Sequence, residues 1–276
     1  MKKTPALLMR CAVLALLAVG ASAPSFAYDF EVRGSLPWTG WLNWCVPVDT
    51  CGGDYWWIGS LPATISGDIV ALAPHTWVTT YWNVPAGSGT MDAVLFVEDH
   101  TLAGQSVTFS GVVLFNTLVS PYVATAFVRD FDADNGYTFE ESKVPLVSGQ
   151  RFSVSREIAS GSGHFVEIGF ETNGPNADPD GVGLLGSVQV APADPDVLFP
   201  KLLADVTGLG PGTSLADKVK VAQFRYAGAD VEASCGVLKG LVNEVRAQQG
   251  KTITPMMLAD QLVSEARAVM VVIGCK

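Results

Sequence analysis

The chain has 276 residues, of which 49% are hydrophobic, and 17 Lys and Arg stand against 27 Asp and Glu, for a formal charge of −10. A surface this acidic lacks the electrostatic footprint of a nucleic-acid-binding protein and is repelled by anionic lipid. Neutral ligands, or acidic loops that hold Ca²⁺, remain compatible with it.

Residues 1–27 read as an export signal. Lys2, Lys3 and Arg10 form a positive start, Cys11 to Ala21 a short apolar run, and Ser25-Phe-Ala27 a small-residue cleavage site. The apolar run is too short to span a bilayer, and no later segment reads as transmembrane, so no membrane insertion is expected. Removing the signal leaves 14 basic against 27 acidic residues, a balance of −13. It also leaves Cys45, Cys51, Cys235 and Cys275, an even number suited to an oxidising, extracellular or periplasmic compartment. Three pairings are open, and the simplest is local, 45 with 51 and 235 with 275. A zinc site is the rival, but the three His are scattered and no second Cys pair completes a ligand set.

From residue 28 to about 193, short runs rich in Val, Phe, Thr and Trp alternate with Gly, Pro, Asn and Asp. Strands are expected at 69–72, 77–82, 91–97, 107–115, 123–128, 151–155, 165–170 and 187–190. Many short strands and no long helix mean a β-sandwich or barrel. All seven tryptophans fall in this half. Trp38, Trp41, Trp44, Tyr55, Trp56 and Trp57 crowd one stretch, and a Cys45–Cys51 bridge would staple the loop among them. A sugar ring has an apolar face that packs on a flat aromatic ring, and a rigid loop binds at low entropic cost. The competing reading is that these rings are core, because large aromatics dominate cores as well as sites.

Three segments in this order resemble carbohydrate-binding jelly rolls of the galactose-binding-like family: Tyr28-Asp-Phe-Glu-Val-Arg-Gly34 with Trp38-Thr-Gly-Trp41, then Leu102-Ala-Gly-Gln-Ser-Val-Thr-Phe-Ser110, then Asp180-Gly-Val-Gly-Leu-Leu-Gly-Ser-Val-Gln-Val190. The resemblance implies a β-sandwich that binds a polysaccharide or cell-surface glycan without catalysis and needs no cofactor. It also implies a structural Ca²⁺ near Glu31 and Asp180. Asp130-Phe-Asp-Ala-Asp-Asn-Gly136 adds Asp132 and Asp134 as candidate Ca²⁺ ligands, although Gly stands seventh where a helix-flanked Ca²⁺ loop has it sixth. A plain solvated turn is the simpler account of this segment. Glu167 and Glu171 lie four apart in an expected strand and share a face, as a glycosidase carboxylate pair would. No GxSxG, HExxH, P-loop or dinucleotide motif occurs, and an exposed sheet face accounts for both Glu, so no enzyme is expected.

The composition switches at Ala191-Pro-Ala-Asp-Pro-Asp196, with 194–197 as a short linker. From 198 to 276 Trp is absent and apolar residues recur at helical spacing. A short helix ends before Gly208, a second starts at Ser214, and a third is capped by Asp230 with Cys235, Leu238, Val242 and Val245 on one stripe. The last starts at Thr254-Pro255 with Leu258, Leu262, Ala266, Val269 and Ile273. Ser214-Leu-Ala-Asp-Lys-Val219, Cys235 through Lys251, and Ile273-Gly-Cys275 resemble the FIMAH domain, a small helical module of secreted bacterial proteins. The expected whole is a jelly roll followed by a three- to four-helix bundle. A protein partner could meet the bundle at Asn243, Glu244, Arg246 and Gln248, against the simpler reading of a solvated face.

Overall fold

The computed structural model describes residues 27–46, 50–56, 58 and 61–276. The expected export signal lies outside the described residues except for Ala27, and Trp57 lies outside them too.

In chain order the strands are β1 Ala27–Glu31, β2 Thr39–Val46, β3 Thr50–Trp56, β4 Ala63–Ser66 and β5 Ile69–Leu72. After helix α1, Trp77–Trp82, come β6 Thr90–Asp99, β7 Ser106–Asn116, β8 Val123–Asp132, β9 Thr138–Pro145, β10 Arg151–Glu157, β11 His164–Pro175 and β12 Val188–Ala191. Four helices follow: α2 Pro195–Val206, α3 Ser214–Ala227, α4 Val231–Gln248 and α5 Met256–Val272. The protein is thus a two-sheet sandwich followed by helices.

The first sheet has the path β1-β7-β12-β5-β4, with β10 also on β7. Ser106–Ser110 pair with β1 in parallel, and the same residues pair with β10, so β1 and β10 hold opposite edges of β7. The second sheet is fully antiparallel, β3-β2-β6-β11-β8-β9. Between the sheets Phe109, Phe152 and Phe170 pack with Trp38, whose ring stacks on Phe170 at 5.8 Å. Burying each such ring contributes about 2–3 kcal/mol.

Strand β7 shows how sequence pattern reports environment. Val107-Thr-Phe-Ser110 alternates, with Val107 and Phe109 in the core and Thr108 and Ser110 facing out. The alternation then gives way to Val112-Val-Leu-Phe115, all buried. Val112, Leu114 and Phe115 belong to the same apolar cluster as Leu198, Phe199 and Leu262 of the helices. A strand covered on both faces reads as a continuous apolar run. The helices therefore pack on the outer face of the first sheet. Arg151 donates to the Val272 carbonyl at 3.0 Å, and the Ala193 amide donates to Glu31 at 2.8 Å, tying β1 to the segment entering α2.

Asp194 caps α2 through the Asp196 amide, with Pro195 in the first turn, and Asp230 caps α4 through the Ala233 amide. Ser214 does not cap α3. It is the first helical residue, and its hydroxyl joins Lys218 and Glu244 of α4. Both cystines are local: Cys45–Cys51 faces across the β2–β3 hairpin, and Cys235–Cys275 ties α4 to the chain end.

The expected strand at 77–82 is instead helix α1. Its β-branched and aromatic residues favour a strand by propensity. Local bonds override this: the Trp77 amide donates to His75 Nδ1 at 3.0 Å, the Thr80 amide to the Thr76 carbonyl at 3.0 Å, and Asn83 ends the turn at φ 52°. The helix sets Trp77 edge to face on Trp56 at 4.8 Å and tilted against Trp44 at 5.2 Å.

Candidate functional site

Register across the second sheet sets the site. One face of each strand enters the core; the other forms an open face on which side chains line up in rows. Trp41 of β2 lies opposite Tyr55 of β3 and Val94 of β6, and Val94 lies opposite Glu171 of β11. One row on, Phe96 faces Gly169, and Gly169 faces Phe127 of β8. The next row runs Glu98, Glu167, Arg129, Glu141 from β6 to β9. Beyond it Phe165, Phe131 and Phe139 lie side by side, and His100 stacks on Phe165 at 4.5 Å. Residues from all four rows, Trp41, Phe96, Arg129 and Phe165 among them, line a cleft of about 720 Å³.

Two glycines permit the shape. At Gly169 an added Cβ would lie 2.2 Å from the Leu95 carbonyl and 3.0 Å from the Phe127 ring, so glycine lets Phe127 pack against β11 beneath Arg129. At Gly53 a Cβ would meet the Trp41 indole at 2.9 Å, so glycine seats that ring against β3.

At one end Trp41 and Tyr55 meet edge to face at 4.9 Å, and Tyr55 is 62% exposed. Trp41 Nε1 donates to Asn43 Oδ1 at 2.7 Å, and Asn43 Nδ2 donates to Asp92 Oδ2 at 3.2 Å. The second Asp92 oxygen is buried and has no hydrogen-bond partner among the described residues. Burial pushes Asp92 up to about 6, with the nearby Glu171 charge adding and the Asn43 bond opposing. In the middle, burial pushes Glu167 up to about 7, Arg129 opposing and Glu98 adding. Arg129 lies over Phe127 at 3.9 Å and donates to Glu171 at 2.6 Å and to Glu141 at 3.3 Å. Lys143 pairs with Glu141 at 2.7 Å. Burial also raises the Tyr55 hydroxyl, with Glu98 and Glu167 adding.

The tryptophans expected to stack on a ligand divide by strand phase. Trp41 and Tyr55 face the cleft. Trp38 is a core residue, 7% exposed, with its indole N–H donated to the Arg33 carbonyl at 2.9 Å. Trp44 and Trp56 point to the core side and pack with Trp77. Trp38, just before β2, and Trp44 and Trp56, on the core-facing phase of β2 and β3, are thus packing residues.

The four carboxylates expected to hold Ca²⁺ are occupied or dispersed. Glu31 accepts from the Ala193 amide and pairs with Arg33 at 3.0 Å. Asp132 accepts from the Asp134 and Asn135 amides, capping a short 3-10 turn at 133–135. Asp134 packs against Gly163. Asp180 lies exposed in a separate turn, its amide donating to Asp178 at 2.9 Å. Among the described residues no group of three or more His, Cys, Asp or Glu is placed to hold a metal ion. Glu167 and Glu171 do share a face, but Glu167 is 8% exposed and Glu171 is tied to Arg129, so a solvated sheet face does not describe them. No helix among the described residues is long and apolar enough to cross a membrane.

Neither a protein-family model nor a curated protein matches the chain. Among solved structures it is similar to a CBM61 carbohydrate-binding module in complex with β-1,4-galactotriose, at 13% identity and a TM-score of 0.27, covering 46% of this chain and 68% of that one. It is also similar to the CBM22-1–GH10 modules of Clostridium thermocellum endo-1,4-β-D-xylanase 10B complexed with xylohexaose, at 9% identity and a TM-score of 0.26, covering 56% of this chain and 25% of that one. Neither overlap is close enough to transfer a ligand or a role to any residue here.

Proposed function

We propose that the protein is an exported, non-catalytic glycan-binding protein and that the open face of the second sheet is its binding site. The observation that carries this is the aromatic corner of Trp41 and Tyr55, set edge to face, beside the Asp92 carboxyl in one cleft. A sugar offers an apolar ring face and a rim of hydroxyl donors, which matches that pairing. Two cystines support an oxidising compartment. The FIMAH-like reading of 198–276, with a protein partner, rests on its motifs and on the Cys235–Cys275 bridge.

Retention on immobilised neutral and acidic polysaccharides tests the proposal. Trp41→Ala and Tyr55→Ala should each weaken binding by about 2 kcal/mol, roughly 30-fold. Phe224→Ala, on α3 and 76% exposed, should not change it. If no polysaccharide is retained, or if both cleft variants bind like the wild type, the proposal is wrong.

A further inference from the structure

The charges of the open face constrain its ligand further, on the reading that the cleft binds glycans. We infer that the cleft is a charge filter: it takes neutral polysaccharides and rejects those bearing carboxylate or sulfate groups.

Five carboxyl groups project on this face, Asp92, Glu98, Glu167, Glu171 and Glu141, against two permanent cations, Arg129 and Lys143. Recognition of an acidic sugar needs a free cation, ordinarily an arginine fork. Both cations here are spent within the face. Arg129 bonds Glu171 at 2.6 Å and Glu141 at 3.3 Å, with its plane over Phe127. Lys143 bonds Glu141 at 2.7 Å and lies 3.7 Å from Glu171. His100, at the far end, is engaged by Glu98 at 2.5 Å. A uronate that reached Arg129 would strip it from Glu171, whose side chain is 12% exposed, and leave a poorly solvated carboxylate with only Lys143, 3.7 Å away. Breaking a buried pair in this way is strongly unfavourable. A uronate placed at the Trp41 end would instead face Asp92, whose Oδ1 has no donor among the described residues. Neutral hydroxyls meet neither obstacle, since each can donate to a carboxyl group.

The filter should sharpen with pH. Asp92 and Glu167, pushed up to about 6 and about 7, are partly protonated in mild acid and ionise by pH 8. Repulsion of an anionic ligand grows over that interval, whereas a neutral ligand meets no net charge term.

The test uses the full chain and one polysaccharide backbone in three forms. For the neutral polysaccharide most strongly retained, affinity is measured for the parent, its hydroxyethyl derivative and its carboxymethyl derivative, which add groups of similar size. The hydroxyethyl form should bind within threefold of the parent. At pH 8 and 50 mM NaCl the carboxymethyl form should bind at least tenfold more weakly, with a smaller gap at pH 5.5 and a smaller gap again in 1 M NaCl, where screening acts within about 3 Å. In Glu167→Gln the ratio of parent to carboxymethyl affinity at pH 8 should be smaller than in the wild type, and an unchanged ratio overturns the filter. Equal or tighter binding of the carboxymethyl form overturns the filter while leaving glycan binding intact. A gap as wide for the hydroxyethyl form would assign the loss to size and also overturns it. If none of the neutral polysaccharides is retained, the glycan-binding reading fails and the filter fails with it.

Discussion

Glu167→Gln isolates the cost of keeping a carboxylate in the cleft. Glu167 is 8% exposed, and burial moves it from 4.5 to about 7, even with Arg129 across the strand pair opposing the rise. That displacement corresponds to about 3 kcal/mol between its protonation states. The folded protein holds this proton between the two values and the unfolded chain does not. Stability therefore falls as pH rises from 4.5 through about 7, and levels off above it. Glutamine keeps the shape and removes the ionisation. The variant should gain up to about 3 kcal/mol over the wild type on going from pH 4.5 to pH 8, or between about 6 and 12 °C in melting temperature for a chain of this size. Differential scanning calorimetry of both proteins at the two pH values reads the quantity directly. Comparing variant with wild type at each pH removes the contributions of Asp92 and of Glu265, which burial also raises. A melting-temperature difference that is the same at pH 4.5 and pH 8 would refute the buried, uncompensated carboxyl.

Gly169→Ala places a Cβ 2.2 Å from the Leu95 carbonyl, so it should cost at least about 2 kcal/mol and lower the melting temperature by several degrees, while an Ala at exposed Gly183, with open space around it, should change little. Replacing both Cys235 and Cys275 by Ser opens a loop of sequence separation 40 and should destabilise the helical half by about 4 kcal/mol, measured by denaturant titration. Leu114→Ala removes a side chain 1% exposed, buried between the first sheet and the helices, and should cost about 3 kcal/mol. Because that residue is shared, tryptophan fluorescence from the β part and far-ultraviolet helix signal should shift together; separate shifts would show that the two layers unfold independently.

The sandwich was legible because its strands carry Val- and Phe-rich runs between turn residues, and the helices because Cys235, Leu238, Val242 and Val245 recur at helical spacing and are buried. Strand β9 escaped notice because Thr138–Pro145 carries three charged residues and is an edge strand that faces solvent. The site was half legible. Trp41 and Tyr55 lay in the aromatic stretch, but the same stretch included Trp38, Trp44 and Trp56, and only the phase of β2 and β3 separates core from cleft. Asp92, Glu98 and Arg129 were missed because they are lone charges in separate strands, brought together by register alone. One signal was present. Met91-Asp-Ala-Val-Leu-Phe-Val97 is apolar in both phases, yet its outward phase, Asp92, Val94 and Phe96, has no second layer to cover it. A strand with two apolar faces and one covering layer leaves an apolar floor for something else.

The central claim is that a sugar ring sits on the open face of the second sheet. A crystal structure with an oligosaccharide cut from the retained polysaccharide tests it most directly. A ring packed on Trp41 or Tyr55, with a sugar hydroxyl bonded to the Asp92 carboxyl, is the expected result. An oligosaccharide bound elsewhere, for instance beside the 42%-exposed Trp82 at the end of α1, with the cleft empty, would contradict it.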